Sequence, residues 1–437
     1  MIIGILREIK TEEYRVAMTP AGAEVMGHHG HRVIVERNAG TGSGFGDGAY
    51  RDAGAEIAGT AAEVFGRSQM VMHVKEPQPS EYPLIRPGQI VFTFFHLAAS
   101  EALTRAMIKT RSVAIAYETI RKADGTLPLL IPMSEVAGRM AIQEGAKYLE
   151  MEYGGEGVLI GGVPGVEPAT VLVIGAGTVG AQAARMACGL GAKVYLIDSC
   201  LQRLRYLSDV MPPNCFTLTS SPATIRRLIR EADLVVGSVL IPGAKAPKLV
   251  TRDMLKTMKK GAVLVDVAID QGGCFETSKP TTHKDPVYTV DGVIHYSVAN
   301  MPGALAKTST LALTNATLPY TAEIADKGWK KAMRENPAIR EGANVVRGKV
   351  TFKGVADAFG LKYTPLDTLL YSFRFKTLSR RLSMTFRRQQ VALRRGPFAH
   401  RLAAPLPGVH RQIRAGDEFV QRDGALRVVM RNTHGQG

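Results

Sequence analysis

Thr170-Val-Leu-Val-Ile-Gly175-Ala-Gly177-Thr-Val-Gly180, followed by Ala192-Lys-Val-Tyr-Leu-Ile-Asp198, is the stretch that decides the fold. Its apolar run reads as a buried strand, three glycines turn that strand into a helix, and a second apolar run ends on an acid 23 positions after the first glycine. Gly175 allows the sharp turn, Gly177 lets backbone approach a pyrophosphate, and Gly180 permits close packing of helix on sheet. The free amides and positive end of the helix then face phosphate groups. Asp198 would accept hydrogen bonds from an adenosine ribose, whereas a 2'-phosphate about 4 Å away would be repelled by roughly 4 kcal/mol. These features point to a dinucleotide site that favours NAD over NADP, a preference that Arg203 and Arg205 weaken.

With 437 residues the chain has room for two or three domains. Its apolar runs all fall short of about 18 residues, which argues against a membrane span. The segment Met1-Ile-Ile-Gly-Ile-Leu-Arg-Glu-Ile-Lys10 meets charge too soon for a secretory signal and reads as a first strand. Cys188, Cys200, Cys215 and Cys274 show no CxxC spacing, so reduced thiols in a cytoplasmic protein are expected, and no metal site. Charge is unevenly spread. From Tyr371 to Gly437 there are 14 Lys and Arg against 3 Asp and Glu, so +11 of the net +16 lies there and +5 in the preceding 370 residues. The body of the protein therefore does not call for nucleic acid as a partner.

Upstream of the nucleotide motif, short apolar runs alternate with helical patterns: Ile2 to Leu6, Arg32 to Glu36, Met70 to Val74, Ile90 to Phe95 and Ser112 to Tyr117. This spacing predicts strand-helix-strand units around a parallel sheet. Met133 to Leu149 predicts a long helix starting just after Pro132 with Ser134 as its cap. Runs at Leu234 to Gly237, Ala262 to Asp266 and Val293 to Tyr296 supply further strands of the nucleotide domain, and the helical pattern after about Ser309 returns the chain to the first. The expected fold class is α/β: two Rossmann-like domains with parallel sheets, the catalytic one discontinuous. Residues 1–130 and 306–370 form the substrate domain, 131–305 the NAD-binding domain and 371–437 an Arg-rich extension. That extension reads as disordered or loosely helical. Adhesion to RNA or to a membrane surface, and a shifted reading frame, are the other readings of it.

A nicotinamide enzyme needs a substrate anchor, a proton carrier and a fixed approach for hydride. Candidates stand where predicted strands end, which is where ligands collect in such sheets. Arg15 follows the first strand and could clamp a carboxylate bidentately, although alone it also fits an exposed surface arginine. Lys75 ends the run Val71 to Val74; desolvation there would lower its pKa and suit it to polarise a carbonyl oxygen. His96 ends Val91 to Phe95, and its ordinary pKa near 6.5 suits proton transfer. Asp270, in Val265-Asp-Val-Ala-Ile-Asp-Gln-Gly-Gly273, is either a turn-forming aspartate or a charge beside the nicotinamide.

Together, Glu8-Ile-Lys10 with Arg15-Val-Ala, Val74-Lys-Glu-Pro77, Phe95-His-Leu-Ala-Ala99, Pro132 to Arg139, Gly175 to Gly180, Asp266 to Gly273 and Asn300-Met-Pro-Gly303 resemble the L-alanine dehydrogenase family over residues 1 to about 370. The resemblance implies reversible conversion of L-alanine, NAD and water into pyruvate, NADH and ammonium by a cytoplasmic homo-oligomer, a hexamer. It implies Arg15 as carboxylate anchor, Lys75 as ligand of the substrate oxygen, and His96 and Asp270 as the acid/base pair. Ser134, Asp198, Ser220 and the turn from Asn300 through Met301 to Gly303 fall at cofactor-contact positions. Arg203 stands where some members carry lysine. The tail after Leu370 has no counterpart in the family. Two related enzymes are alternatives, an NAD-binding transhydrogenase-like subunit and a saccharopine-type dehydrogenase. A third alternative makes the basic tail a binding module on a vestigial dinucleotide fold.

Overall fold

The chain forms short strands, most of them from valine, isoleucine and methionine runs that are buried. In the first part of the chain these are β1 (Ile2–Ile5), β2 (Arg32–Glu36), β3 (Glu56–Ala58), β4 (Met70–Met72), β5 (Ile90–Thr93) and β6 (Val113–Ala116). In the second part they are β7 (Thr170–Ile174), β8 (Lys193–Asp198), β9 (Cys215–Thr219), β10 (Leu234–Gly237), β11 (Val263–Asp266), β12 (Val287–Val290) and β13 (Val293–Tyr296). The chain then returns to the first sheet with β14 (Ala343–Val346) and β15 (Lys349–Val350). This computed structural model describes residues 1–239 and 247–371, and beyond them only two strands. Those strands, β16 (Glu418–Arg422) and β17 (Ala425–Val429), pair antiparallel within the second compact unit, 371–437. The expectation of a disordered or loosely helical tail otherwise lies outside the described residues.

The two large sheets share one plan. The first runs β15-β14-β6-β5-β4-β1-β2-β3 and the second β12-β13-β11-β10-β7-β8-β9. In each, six parallel strands follow the doubly wound order in which the first two crossovers go one way and the rest the other. The reversal leaves a crevice beyond the C-terminal ends of β1 and β4 in one sheet and of β7 and β10 in the other. Strands β4, β5, β6, β10, β11 and β13 are buried along their whole length, as expected for parallel sheets covered on both faces.

Both sheets are parallel as expected, save for antiparallel strands added at one side of each. β14 runs antiparallel to β6 and to β15, and β12 runs antiparallel to β13. β14 and β15 are joined by a tight hairpin turn on Arg347 and Gly348, both left-handed at φ 51° and 77°. β15 and β12 are the edge strands, and at each of these edges a short antiparallel pair closes the hydrogen-bonding row without a crossover helix.

Two helices join the sheets, Ile131–Tyr148 and Ala306–Lys327, and they pack on each other. The first begins two residues before the predicted start. Pro132 occupies the first turn, where its missing N–H costs nothing, and the Ser134 amide donates to the Leu130 carbonyl. Ser134 is therefore inside the helix and does not cap it. The same helix lies against Thr178–Gly189, the helix that follows the nucleotide turn. Gly138 makes that approach possible, since a Cβ at this position would stand 2.3 Å from the Val179 carbonyl oxygen. Gly138→Ala should therefore force the helices apart and lower stability by about 1–3 kcal/mol. A urea denaturation midpoint equal to that of the unsubstituted protein would contradict this close packing.

Candidate active site

The loop after β1 carries Lys10 to Arg15 past the crevice of the first sheet. Arg15 is only 2% exposed, and a buried guanidinium requires a counter-charge. Glu13 supplies it: Arg15 Nε donates to Oε1 at 2.6 Å, Nη2 to Oε2 at 2.5 Å, and the Arg15 amide to Oε1 at 3.1 Å. The bidentate fork that the sequence suggested for a substrate is thus engaged within the protein. Nη2 also donates to Asn300 Oδ1 at 2.8 Å, while among the described residues Nη1 meets only Met133 Sδ, at 3.0 Å. Sulfur is a weak acceptor, so the Nη1 edge is where an added carboxylate would compete best.

Glu13 is fully covered, which by itself would raise its pKa. The hydrogen bonds and charge of Arg15, helped by Asn300 Nδ2 at 3.0 Å, reverse that and hold it down at about 2. Asn300 follows β13 and adopts a left-handed backbone at φ 62°. Its turn is tight: a Cβ on Gly303 would fall 2.6 Å from Asn300 Nδ2. Met301 is buried behind it. Arg15, Glu13, Met133 and Asn300 thus connect the β1 loop, one joining helix and the second sheet.

Lys75 lies three residues beyond β4, half-buried, and its pKa is lowered, first by burial and next by the Arg15 charge. Glu13 and Asp270 oppose that shift, so Arg15, Glu13 and Asp270 all act on one ammonium. Asp270 is exposed on the short helical turn Ile269–Gln271 after β11. Its loop is held from beneath by Asp266, which is fully buried and accepts the amides of Ala268, Cys274 and Phe275 and the Ser278 hydroxyl. Lys248 donates to the carbonyls of Gly272, Gly273 and Phe275 from the other side.

His96 follows β5, beside β4, at φ 50°. Its ring is exposed and stacks parallel on Phe94, with centroids 6.0 Å apart. The unusual backbone is fixed by Glu118, whose carboxylate accepts the His96 amide at 2.6 Å and the Phe95 amide at 3.2 Å. Among the described residues the imidazole makes no hydrogen bond and no contact links it to Lys75 or Asp270; it shares with Lys75 the C-terminal edge of adjacent strands. Sequence reasoning missed Glu13, Glu118, Asp266 and Met133. Only Glu13 carried a signal, as an acid two residues from a predicted anchor.

At the other crevice, Gly175 has φ 99°, and a Cβ on Gly180 would lie 1.8 Å from the Gly175 carbonyl oxygen. A Cβ at Gly177 would meet nothing within 4 Å, so that side of the turn is open. No side chain caps the helix Thr178–Gly189, which leaves its first-turn amides available to an anion. Asp198 also builds the turn: Oδ2 accepts the Ala176 amide and Oδ1 the Cys200 amide, each at 2.7 Å. Arg203 Nε donates to the Ala176 carbonyl at 2.9 Å and its guanidinium lies over the Tyr206 ring. The Ser220 amide donates to the Asp198 carbonyl, so Ser220 sits on the same rim. Ser134 is half-buried on the joining helix.

The chain is similar to known proteins over most of its length. Residues 4–137 match the family model for the alanine dehydrogenase/PNT N-terminal domain, and 141–353 that for the C-terminal domain. Alanine dehydrogenase of Methanococcus maripaludis is 54% identical over 85% of this chain and 100% of its own length. That of Halomonas elongata is 53% identical over 85% and 100%. A solved L-alanine dehydrogenase superposes with a TM-score of 0.80 at 45% identity, covering 82% of this chain and 99% of its own. A transhydrogenase structure from Sinorhizobium meliloti follows at 0.68 and 26%, covering 80% and 99%.

The Arg15–Glu13 pair makes a prediction about acid stability. A carboxyl whose folded pKa is depressed contributes stability above its unfolded value, and loses it as pH falls from about 4.5 through about 2. That contribution is of order 3 kcal/mol, because a tenfold change in proton affinity is worth roughly 1.36 kcal/mol. Glu13→Gln should be less stable at neutral pH and show a flatter decline below pH 4.5. Denaturation curves of equal slope against pH for both proteins would exclude this role for Glu13.

Proposed function

The chain belongs to the alanine dehydrogenase/PNT family, and from that premise we propose that it catalyses the reversible NAD-dependent oxidative deamination of L-alanine to pyruvate and ammonium. The observation that carries this reading is Lys75, its pKa lowered by burial and by Arg15, in a crevice where, among the described residues, one guanidinium edge of Arg15 meets no acceptor stronger than a thioether. Two cations of different kinds beside one cleft suit a small 2-oxo acid: a carboxylate for one and a carbonyl oxygen for the other.

The turn after β7 fits a dinucleotide, because its glycine side is open and its helix amides are uncapped. Gly175, Gly177, Gly180, Asp198, Arg203 and Ser220 would hold NAD, with Ser134, Asn300 and Met301 from the facing segments. When bound, NAD supplies the acceptor for the hydride that leaves the α-carbon of alanine, and in the reverse direction its reduced form is the donor. Arg15 orients the substrate carboxylate through its Nη1 edge. Lys75 donates a hydrogen bond to the carbonyl oxygen of pyruvate, and its lowered pKa brings a proton on Nζ closer to transfer near neutral pH. His96 and Asp270 share the work of taking a proton from the water that attacks the iminium carbon. Asp198 at the end of β8 favours NAD over NADP by charge repulsion of a 2'-phosphate. The same reading divides the chain into a substrate lobe of residues 1–130 and 306–370 and a nucleotide lobe of 131–305, assembled as a hexamer in the cytoplasm.

The direct test follows NADH absorbance with three substrates in parallel: alanine, lysine with 2-oxoglutarate, and a thionicotinamide dinucleotide with NADPH. Turnover with alanine is expected. Turnover with only the second pair would make the protein a saccharopine-type enzyme, and with only the third a transhydrogenase subunit. His96→Ala should lower kcat by about 10²- to 10⁴-fold. Arg15→Lys should raise the KM for pyruvate by about ten- to a hundredfold, since lysine cannot keep both the Glu13 clasp and a second carboxylate. Unaltered pyruvate KM in Arg15→Lys would remove Arg15 from the site.

A further inference from the structure

Behind Lys75 lies a buried ionic cluster that the reaction just described does not use. His73, the residue after β4, is 1% exposed, and its ring stands between two covered carboxylates. Nδ1 is 3.2 Å from Glu8 Oε1, and Nε2 is 3.3 Å from Glu81 Oε1. The side chains of Glu8 and Glu81 are 3% and 4% exposed. Glu81 also accepts the Gln78 amide at 2.7 Å, which closes the loop that follows Lys75.

Glu8 is the link to the active site. Its Oε1 accepts the Val74 amide at 2.6 Å and its Oε2 the Lys75 amide at 3.3 Å. The Lys75 carbonyl, in turn, accepts the Thr93 hydroxyl at 2.8 Å. The backbone of Lys75 is thus tied on both sides, and the amide side depends on a carboxylate whose side-chain partner is His73. The charges that act on the Lys75 ammonium are those of Arg15, Glu13, Lys10 and Asp270, with neither Glu8 nor His73 among them.

Burial alone would lower the His73 pKa. Glu8, by charge and hydrogen bond, and then Glu81 outweigh it and bring it up to about 10, so the ring is an imidazolium across the neutral range. The other titratable groups facing this cluster do not replace that charge. Glu36, at the end of β2, is raised by burial and feels both Glu81 and His73. Its Oε2 accepts the Arg7 amide, and the Arg7 charge acts on it. The Tyr117 hydroxyl, at the end of β6, is raised by burial and by Glu8. Tyr82, beside Glu81, is raised by burial and by Glu76. Without the imidazolium, Glu8 and Glu81 would be two buried carboxylates with no cation in contact among the described residues.

We propose that the Glu8–His73 pair, completed by Glu81, is a positioning device for Lys75: the imidazolium neutralises Glu8, and Glu8 then fixes the peptide amides of Val74 and Lys75 so that the lysine enters the crevice in one orientation. His73 and Glu8 are positioning residues, not catalytic ones, because both side chains are covered and are engaged with each other and with backbone amides. The inference rests on the reading of Lys75 as the ligand of the substrate oxygen.

The test combines kinetics with a readout that needs no turnover. In His73→Gln, kcat for pyruvate amination should fall about ten- to a hundredfold and the pyruvate KM should rise, while NADH affinity by fluorescence titration stays unchanged. Labelling of Lys75 by acetic anhydride, followed by peptide mass spectrometry across a pH series, should shift its midpoint up toward that of an ordinary lysine. His73→Lys keeps a cation between the carboxylates and should restore both properties. Should His73→Gln not fold, Glu8→Gln, which removes the charge and one acceptor, is expected to give the same labelling shift. Lys75 labelling with the original midpoint in either folded variant overturns the proposal, as does a His73→Lys protein that behaves like His73→Gln. A protein that shows the labelling shift but no alanine-dependent reduction of NAD keeps the positioning role and rejects the substrate reading.

Discussion

A guanidinium at 2% exposure cannot stand without a matched anion, and the pairing of Arg15 with Glu13 is the constraint around which the cleft is organised. The pair is satisfied by groups from distant parts of the chain: Asn300 after β13 bonds to both members, and Met133 on a joining helix closes one edge. His283 reinforces the arrangement, its amide donating to Glu12 and its ring lying 3.2 Å from the Asn300 carbonyl oxygen. The loop after β1 is therefore held in place by groups from the second sheet as well as from its own. The same charges set the chemistry, because Arg15 and burial together lower the Lys75 pKa while Glu13 limits the fall.

A second theme is the way strand ends are held. Glu8 takes the amides of Val74 and Lys75, Glu118 those of Phe95 and His96, Asp198 those of Ala176 and Cys200, and Asp266 those of Ala268, Cys274 and Phe275. At each place a strand stops and the amides beyond it lose their sheet partners. Water would satisfy them and leave the loop mobile; a carboxylate satisfies two at once and fixes their direction. The residues read as chemically active are next to these clamps: Lys75, His96 and Asp270, together with the glycine turn.

Much of this was legible in the sequence because it is local. The glycine turn, the strands β1, β2, β4, β5 and β6 and the end positions of Lys75, His96 and Asp270 follow from patterns a few residues long. The family resemblance supplied the rest of the function. What escaped notice depends on distant pairing. Glu118 looks like any acid after a strand, and its partner His96 is 22 positions earlier. The hairpin of β14 and β15 follows three helices, and only four apolar or amide residues announce its first strand. Ser134 resembled a helix cap, but Pro132 started the helix sooner. Arg15 looked like an open fork, and only burial reveals that its best donors are already engaged.

The helices Ile131–Tyr148 and Ala306–Lys327 lie side by side as the covalent bridges between the sheets. Packed helices, not free linkers, carry the chain across to the second sheet and back, so the β1 loop and Asn300 meet in one registry. The cluster of Arg15, Glu13 and Asn300 is thereby a product of how the backbone is threaded, a contact between segments almost three hundred positions apart.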